Sequence, residues 1–263
     1  MNSGTLVTTR ICIVGAGFSG LGMGIRLRQV GITDFVIIDS GPEVGGTWRD
    51  NHYPGCACDV PSRLYSFSFQ PNPDWSRTYS PQSEIWAYLK ACVEQGGLAS
   101  HIYFNRKLRR ASYSEQDARW RLECGDGQRY ECQVLISAMG GLSRPAMPSI
   151  PGLERFCGPA FHSSNWRHDV DLAGKTVGVI GTGASAIQFV PQIAPQAKKL
   201  VLFQRTPPWI LPRWDRAIGQ GWKRMYGRFP LIQKLVRVHI CIKWAVVRAL
   251  IHMSILVQKS FLS

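Results

Sequence analysis

The chain has 263 residues, 45% of them hydrophobic, with 26 glycines and 16 prolines, enough to bury the core of one or two domains without a low-complexity tract. Its formal net charge of +14 raises nucleic acid or a membrane surface as partners. Ten Lys/Arg against one acid, Asp215, fall in residues 213–263, so the remainder is only mildly basic, as suits a protein holding two anionic dinucleotides.

Met1 to Thr9 has no long apolar core before a small-residue cleavage site, so no signal peptide is expected. The eight cysteines then read as reduced thiols of a cytoplasmic protein. Cys56 and Cys58 lack the second pair or His cluster of a zinc set, and no metal is expected.

Arg10-Ile11-Cys12-Ile13-Val14 is an apolar, β-rich run that leads straight into Gly15-Ala16-Gly17-Phe18-Ser19-Gly20. A helix is predicted from Leu21 to about Val30, with Gly31 as its stop, followed by a buried parallel strand at Phe35–Asp39. Lys107 to Val134 holds short alternating runs and the turn Gly125-Asp126-Gly127, which predicts a small antiparallel meander. Val134–Ala138 reads as a returning strand, and the Pro-rich stretch from Arg144 to Gly152 as a linker. The opening pattern recurs in the strand Thr176–Ile180, the turn Gly181-Thr182-Gly183-Ala184-Ser185-Ala186, a helix, and the strand Lys199–Phe203. The predicted class is α/β: two Rossmann-like dinucleotide-binding domains with a β-meander, the second incomplete, then a C-terminal amphipathic helix. The predicted boundaries are 1–150 and 151–263.

In the first turn, Gly15 permits the tight bend, Gly17 lets backbone approach a pyrophosphate, and Gly20 lets the helix pack on the strand. Asp39 stands 19 residues beyond Gly20, where an acid accepts hydrogen bonds from ribose hydroxyls. The second turn has Ala186 for its third glycine, and its second strand ends in Gln204-Arg205-Thr206 with no acid. Arg205 can form a charge-assisted fork with a 2′-phosphate, which favours NADPH over NADH. Arg205 also reads as a solvated strand-end cation.

Phe156, Gly158, His162 and Trp166 fit the pattern F-x-G-x-x-x-H-x-x-x-W, the fingerprint of Baeyer–Villiger monooxygenases and the related flavin-containing monooxygenases. Gly45-Gly46-Thr47-Trp48, the run Tyr53–Ser62, Tyr65–Phe69 and Phe203–Trp209 also resemble that family, in the same order, from about Arg10 to at least Arg216. Arg167 departs from the Pro or Asp usual after the pattern's Trp, leaving ketone and heteroatom oxygenation both open.

The resemblance implies that Gly15, Gly17, Gly20, Asp39, Gly46, Thr47 and Trp48 hold FAD, with Tyr65, Leu108 and Gly140 also lining it. Asp59 would sit near the flavin and help place the nicotinamide, the one catalytic residue implied here. Gly181, Gly183, Ser185, Gln188, Arg205 and Thr206 would hold NADPH. His162 and Trp166 would couple cofactor binding to domain movement. Plainer readings stand beside these: His162 as a satisfied structural histidine, Trp48 and Trp166 as packing aromatics, and Asp59 as a turn cap.

The implied reaction reduces FAD with NADPH, captures dioxygen as a peroxyflavin, and inserts one oxygen atom into a ketone or adds it to an amine nitrogen or a sulfide sulfur. The family's arginine for the anionic intermediate, and a C-terminal segment that returns to the FAD domain, lie further along than this chain reads. The expectation is therefore a truncated chain whose catalysis is weak or absent, the alternative being a fragment that acts only as a dinucleotide-binding module. A dinucleotide disulfide reductase would need a C-x-x-C or C-x₄-C pair, and Cys56-Ala57-Cys58 has neither spacing.

The tail from Leu231 to Ser263 has no 18-residue uncharged apolar run. At about 100° per residue, Lys234, Arg237, Arg248, His252 and Lys259 form one stripe, with Lys243 opposite. The wide apolar face reads as a surface for a missing domain to cover, in preference to an anionic membrane. Nucleic-acid binding is not expected.

Overall fold

In a computed structural model of the chain, residues 5–208, 210 and 213–261 are described, with side chains of the last helix as far as Val246. Trp209 and the side chains of Arg248, His252 and Lys259 lie outside the described residues. Two compact units divide the chain: Met1–Cys56 with Gln82–Pro208, and Ala57–Pro81 with Trp209–Ser263.

In the first unit, β1 (Leu6–Val14) leads into α1 (Phe18–Gln29) and β2 (Phe35–Ile38). A single turn, α2 (Thr47–Asp50), and the helix α3 (Gln82–Gln95) precede β3 (Ile102–Tyr103). Then come β4 (Leu108–Ser114), β5 (Arg119–Cys124) and β6 (Arg129–Ser137). The six strands form one sheet in the order β3-β2-β1-β6-β5-β4. The innermost strands are buried along their apolar runs: Cys12, Val14, Val36 and Ile38 share a core with Leu122, Tyr130 and Cys132.

Two strands differ from the sequence expectation for a pairing reason, and one helix was not expected. β1 begins at Leu6, not Arg10, because Leu6–Thr9 pair in parallel with Arg129–Cys132. The last strand of the expected meander and the returning strand are one element: β6 pairs antiparallel with β5 through Arg129–Cys132 and parallel with β1 through Ser137. No turn residue interrupts Arg129–Ser137, so the strand runs through. α3 has no counterpart in the sequence reading, although Ile85, Leu89 and Cys92 recur at helical spacing and are all buried.

The second nucleotide-type motif is β7 (Thr176–Ile180), α4 (Ala184–Ile193) and β8 (Lys199–Phe203), with β7 and β8 parallel and in register from Thr176↔Lys199 to Ile180↔Phe203. Val179, Ala186, Phe189 and Ile193 form its core together with Tyr53.

In the second unit, Ala57–Pro81 packs with α5 (Gln220–Arg228) and α6 (Pro230–Phe261). Trp75 is fully buried there. Thr78 N–H donates to Arg216 O at 2.9 Å, Ile218 N–H to Ser76 O at 2.7 Å, and Arg77 pairs with Asp215 at 2.9 Å. The expected basic stripe on α6 is not uniform. Arg237 turns inward and donates to Arg63 O at 2.9 Å, Ser66 O at 3.0 Å and Ser66 Oγ at 3.3 Å. Backbone carbonyls of a tight loop capture this guanidinium, whereas Lys234 and Lys243 stay exposed. Among the described residues no helix is long and apolar enough to cross a membrane, and no group of three His, Cys, Asp or Glu could hold a metal.

Candidate functional site

The first glycine turn joins the C-terminal end of β1 to α1. Gly15 has φ +114°, and a Cβ there would lie 2.4 Å from Ala138 O. A Cβ on Gly20 would fall 1.8 Å from Gly15 O, so only glycine lets the helix close onto its own turn. Asp39, at the end of β2, is buried and locks this turn. Its Oδ2 accepts from Ala16 N–H at 2.7 Å, and its Oδ1 accepts from Gly41 N–H at 2.7 Å and Arg49 Nη1 at 3.0 Å. Burial opposes the charge on Arg49, but hydrogen bonds to Asp50 and Asp39 more than offset it and hold its pKa raised. The sequence reading missed Arg49, because its pairing with Asp39 depends on how the chain folds back after β2.

Gly17 is the N-cap of α1 and supplies no side-chain cap hydrogen bond. A Cβ on Gly17 would have Gly46 Cα as its nearest neighbour at 3.8 Å, with Gly45 O at 4.0 Å. Gly46 itself has φ +52° and faces Gly17. This bare-backbone surface at a helix N-terminus fits the pyrophosphate of a dinucleotide. Beside it, Thr47 opens α2 and Trp48 is buried, its carbonyl accepting from the Gln82 amide. Gly140 follows β6 with φ +71° and open space around it, while the side chain of Leu108 packs against the sheet core.

The second turn repeats the arrangement. Gly181 has φ +103° and donates to Phe203 O at 2.9 Å. Gly183 caps α4 with no side-chain bond, and a Cβ on either glycine would meet nothing within 4 Å. Ser185 lies in the first turn of α4, and Arg205 and Thr206 are exposed just past β8. Gln188 is different: it is buried, and its Oε1 accepts from the Tyr53 hydroxyl at 3.1 Å. That bond ties the Tyr53-Pro54-Gly55 segment to α4.

The linker signature is packed in part: His162 and Trp166 are half-buried, whereas Phe156 and Gly158 are exposed. The Phe156 ring lies over Gly158, where a Cβ would come within 2.7 Å of it. His162 Nδ1 lies 2.8 Å from Ser164 Oγ and accepts from Ser164 N–H at 3.1 Å, capping a short 3₁₀ turn. Trp166 sits against Phe161 and Phe189, with ring centroids 5.3 and 5.2 Å apart. Trp166 and Thr47, distant in sequence, also share the wall of a cleft of about 550 Å³ with Arg49, Asp50, His52 and Asn165. On its rim His52 Nδ1 stands 2.8 Å from His168 Nε2.

Asp59 and Tyr65 belong to the second unit. Asp59 is exposed, and Tyr65 is partly buried with its N–H donating to Pro61 O at 3.1 Å. Nearby Cys58 is buried, which pushes its thiol up to about 11. Cys56 and Cys58 are both free thiols.

Comparison with known proteins places these motifs in a wider group. The family of flavin-binding monooxygenase-like proteins matches residues 8–253. A Baeyer–Villiger monooxygenase of Pseudomonas aeruginosa is 54% identical over 228 residues, 87% of this chain and 43% of that protein. An oxidised steroid monooxygenase bound to NADP superposes with a TM-score of 0.77 at 36% identity, over 85% of this chain and 43% of that one. The OTEMO complex with FAD and NADP gives a TM-score of 0.78 at 35% identity, over 85% of this chain and 44% of that one. The chain thus spans less than half the length of the proteins it matches. With a family match running through both glycine turns and the signature between them, this chain is a member of the flavin-binding monooxygenase-like family.

Proposed function

We propose that this chain forms the FAD- and NADPH-binding part of a monooxygenase that places one oxygen atom of dioxygen into a ketone, or onto an amine nitrogen or a sulfide sulfur. One observation carries the reading: two strand–glycine-turn–helix motifs stand in one chain, the first followed by a carboxylate, the second by an arginine. Bound FAD would accept electrons from NADPH and reduce dioxygen. The backbone at Gly15, Gly17 and Gly46 would cradle the FAD pyrophosphate against the start of α1, with Gly20 letting the helix approach. Asp39 would keep the turn in shape and use its remaining acceptor capacity on the ribose. Thr47, Trp48, Tyr65, Leu108 and Gly140 would line FAD, the last two through backbone where Leu108 packs inward. Gly181, Gly183 and Ser185 would hold the NADPH phosphates, Arg205 and Thr206 the 2′-phosphate, and Gln188 would brace α4 through Tyr53. Asp59 would help place the nicotinamide.

The test is a flavin absorbance spectrum of the purified chain, with NADPH and NADH consumption followed in air, with and without a cyclic ketone. Bound flavin with ketone-stimulated NADPH oxidation supports the reading. Absence of bound flavin and of oxidation overturns it. The chain's coverage of 43% of its Pseudomonas aeruginosa relative favours a second reading, dinucleotide binding without turnover. Bound flavin with no NADPH oxidation would select it.

A further inference from the structure

One buried segment of the first unit joins the two nucleotide-type motifs. α2 is a single turn, and a turn that short does not hold its own shape in water. It is fixed from both ends. At its start Gly46 faces Gly17 of the first glycine turn, and Trp48 is buried. At its end Asn51 closes the turn with backbone and side-chain bonds to Thr47 O, each 3.0 Å. Tyr53 then enters the core of the second motif. There its ring meets Phe189 edge-on, with centroids 6.1 Å apart, and its hydroxyl donates to Gln188 Oε1 at 3.1 Å. Gly55 closes the junction: it has φ +76°, and a Cβ there would come within 2.8 Å of Gln188 O and of Gln192 Cγ. Gln188 and Phe189 both belong to α4, the helix whose N-cap is Gly183.

We propose that Tyr53 couples the two nucleotide sites, so that a ligand at either glycine turn tightens binding at the other. Resting on the cofactor reading above, this role makes Tyr53 a positioning residue. A pyrophosphate against Gly17 and Gly46 would order α2, and Tyr53 follows α2 directly. Ordered Tyr53 would hold α4 through Gln188, so the second ligand would meet a helix already ordered. Burial gives the hydroxyl its weight: Tyr53 is 8% and Gln188 7% exposed, so water does not readily replace the bond when it is lost. The size is bounded as well. A neutral hydrogen bond shifts an equilibrium by at most about 10-fold, which sets the expected coupling at roughly 10-fold. Trp166 offers a rival route, since it also packs on Phe189 and belongs to the linker signature. That route does not use the Tyr53 hydroxyl.

The experiment measures NADP+ affinity by calorimetry on the flavin-loaded and the flavin-free chain, and FAD affinity with and without NADP+. The loaded chain should bind NADP+ roughly 10-fold more tightly, and FAD affinity should rise by the same factor, as linkage requires. In amide hydrogen exchange, FAD alone should protect α4, and NADP+ alone should protect residues 47–53. Tyr53→Phe keeps the ring and should cut the factor to about 2-fold or less, with circular dichroism unchanged. Gln188→Met should cut it equally, and the double variant should lose no more than either single one, because the same bond is removed. Independent binding of both nucleotides in the unaltered chain overturns this inference alone. So does a factor that survives both Tyr53→Phe and Gln188→Met, which would assign the coupling to the linker. Failure of the chain to bind FAD or NADP+ overturns the cofactor reading, and this inference with it.

Discussion

Gly20, Asp39 and Arg205 each make one physical demand at the nucleotide turns. Gly20 has backbone 1.8 Å from where a Cβ would stand. Gly20→Ala therefore forces α1 off its turn and is expected to lower stability by about 1–3 kcal/mol in urea denaturation, with loss of retained flavin. Asp39 gathers two backbone amides and Arg49 around one buried carboxylate. Asp39→Asn keeps the shape but removes the charge opposite Arg49. The expected loss is about 1–3 kcal/mol, read by denaturation and by flavin content after dialysis. Arg205 is exposed, and among the described residues no ion pair engages it. Arg205→Ala is expected to weaken NADPH binding roughly 10- to 100-fold, the worth of a charged hydrogen bond, and to leave NADH unchanged; equal effects on both nucleotides would reduce Arg205 to a solvated cation.

Among the elements, β6 and α6 differ most from a one-dimensional reading. β6 joins the parallel and antiparallel halves of one sheet because its two edges face different partners. α6 looks from its pattern like a helix with one basic stripe, yet Arg237 is drawn out of that stripe by the carbonyls of Arg63 and Ser66. Arg237→Met keeps the stem and removes three hydrogen bonds. It is expected to cost about 1.5–3 kcal/mol of local stability, seen as faster amide hydrogen exchange in the first turns of α6 with the β1–β6 amides unaffected. α1 and both glycine turns were legible because in each case a strand run, a Gly-x-Gly turn and an apolar helix stand in immediate succession. α3 is equally periodic in its buried positions, but no strand run and glycine turn lead into it to mark its start.

For the whole molecule, burial sorts the thiols. Cys157 and Cys241 are exposed, whereas Cys12, Cys58, Cys92, Cys124 and Cys132 are buried. Desolvation pushes Cys58, Cys92 and Cys124 up to about 11 from 9.0. At mildly alkaline pH, Cys157 and Cys241 should react rapidly with a chromogenic thiol reagent and these three only on unfolding. The linkage follows in sign: between about pH 9 and about pH 11 the unfolded chain loses thiol protons that the folded chain keeps. Stability should therefore be full below about pH 9 and decline as pH rises through that window, and a urea midpoint that stays level there would contradict it.

The sequence by itself determined the two strand–glycine-turn–helix units, the acid after one and the arginine after the other, and the family signature between them. These are local features: neighbouring residues set the φ, the strand run and the helix start. Only the tertiary structure decided that Asp39 answers to Ala16, Gly41 and Arg49, that Tyr53 braces Gln188, that Trp166 packs on Phe189, and that Arg237 turns inward. Each of those depends on a contact between residues far apart in the chain. Spacing along a sequence carries no record of which distant carbonyl or ring will be waiting when the backbone closes.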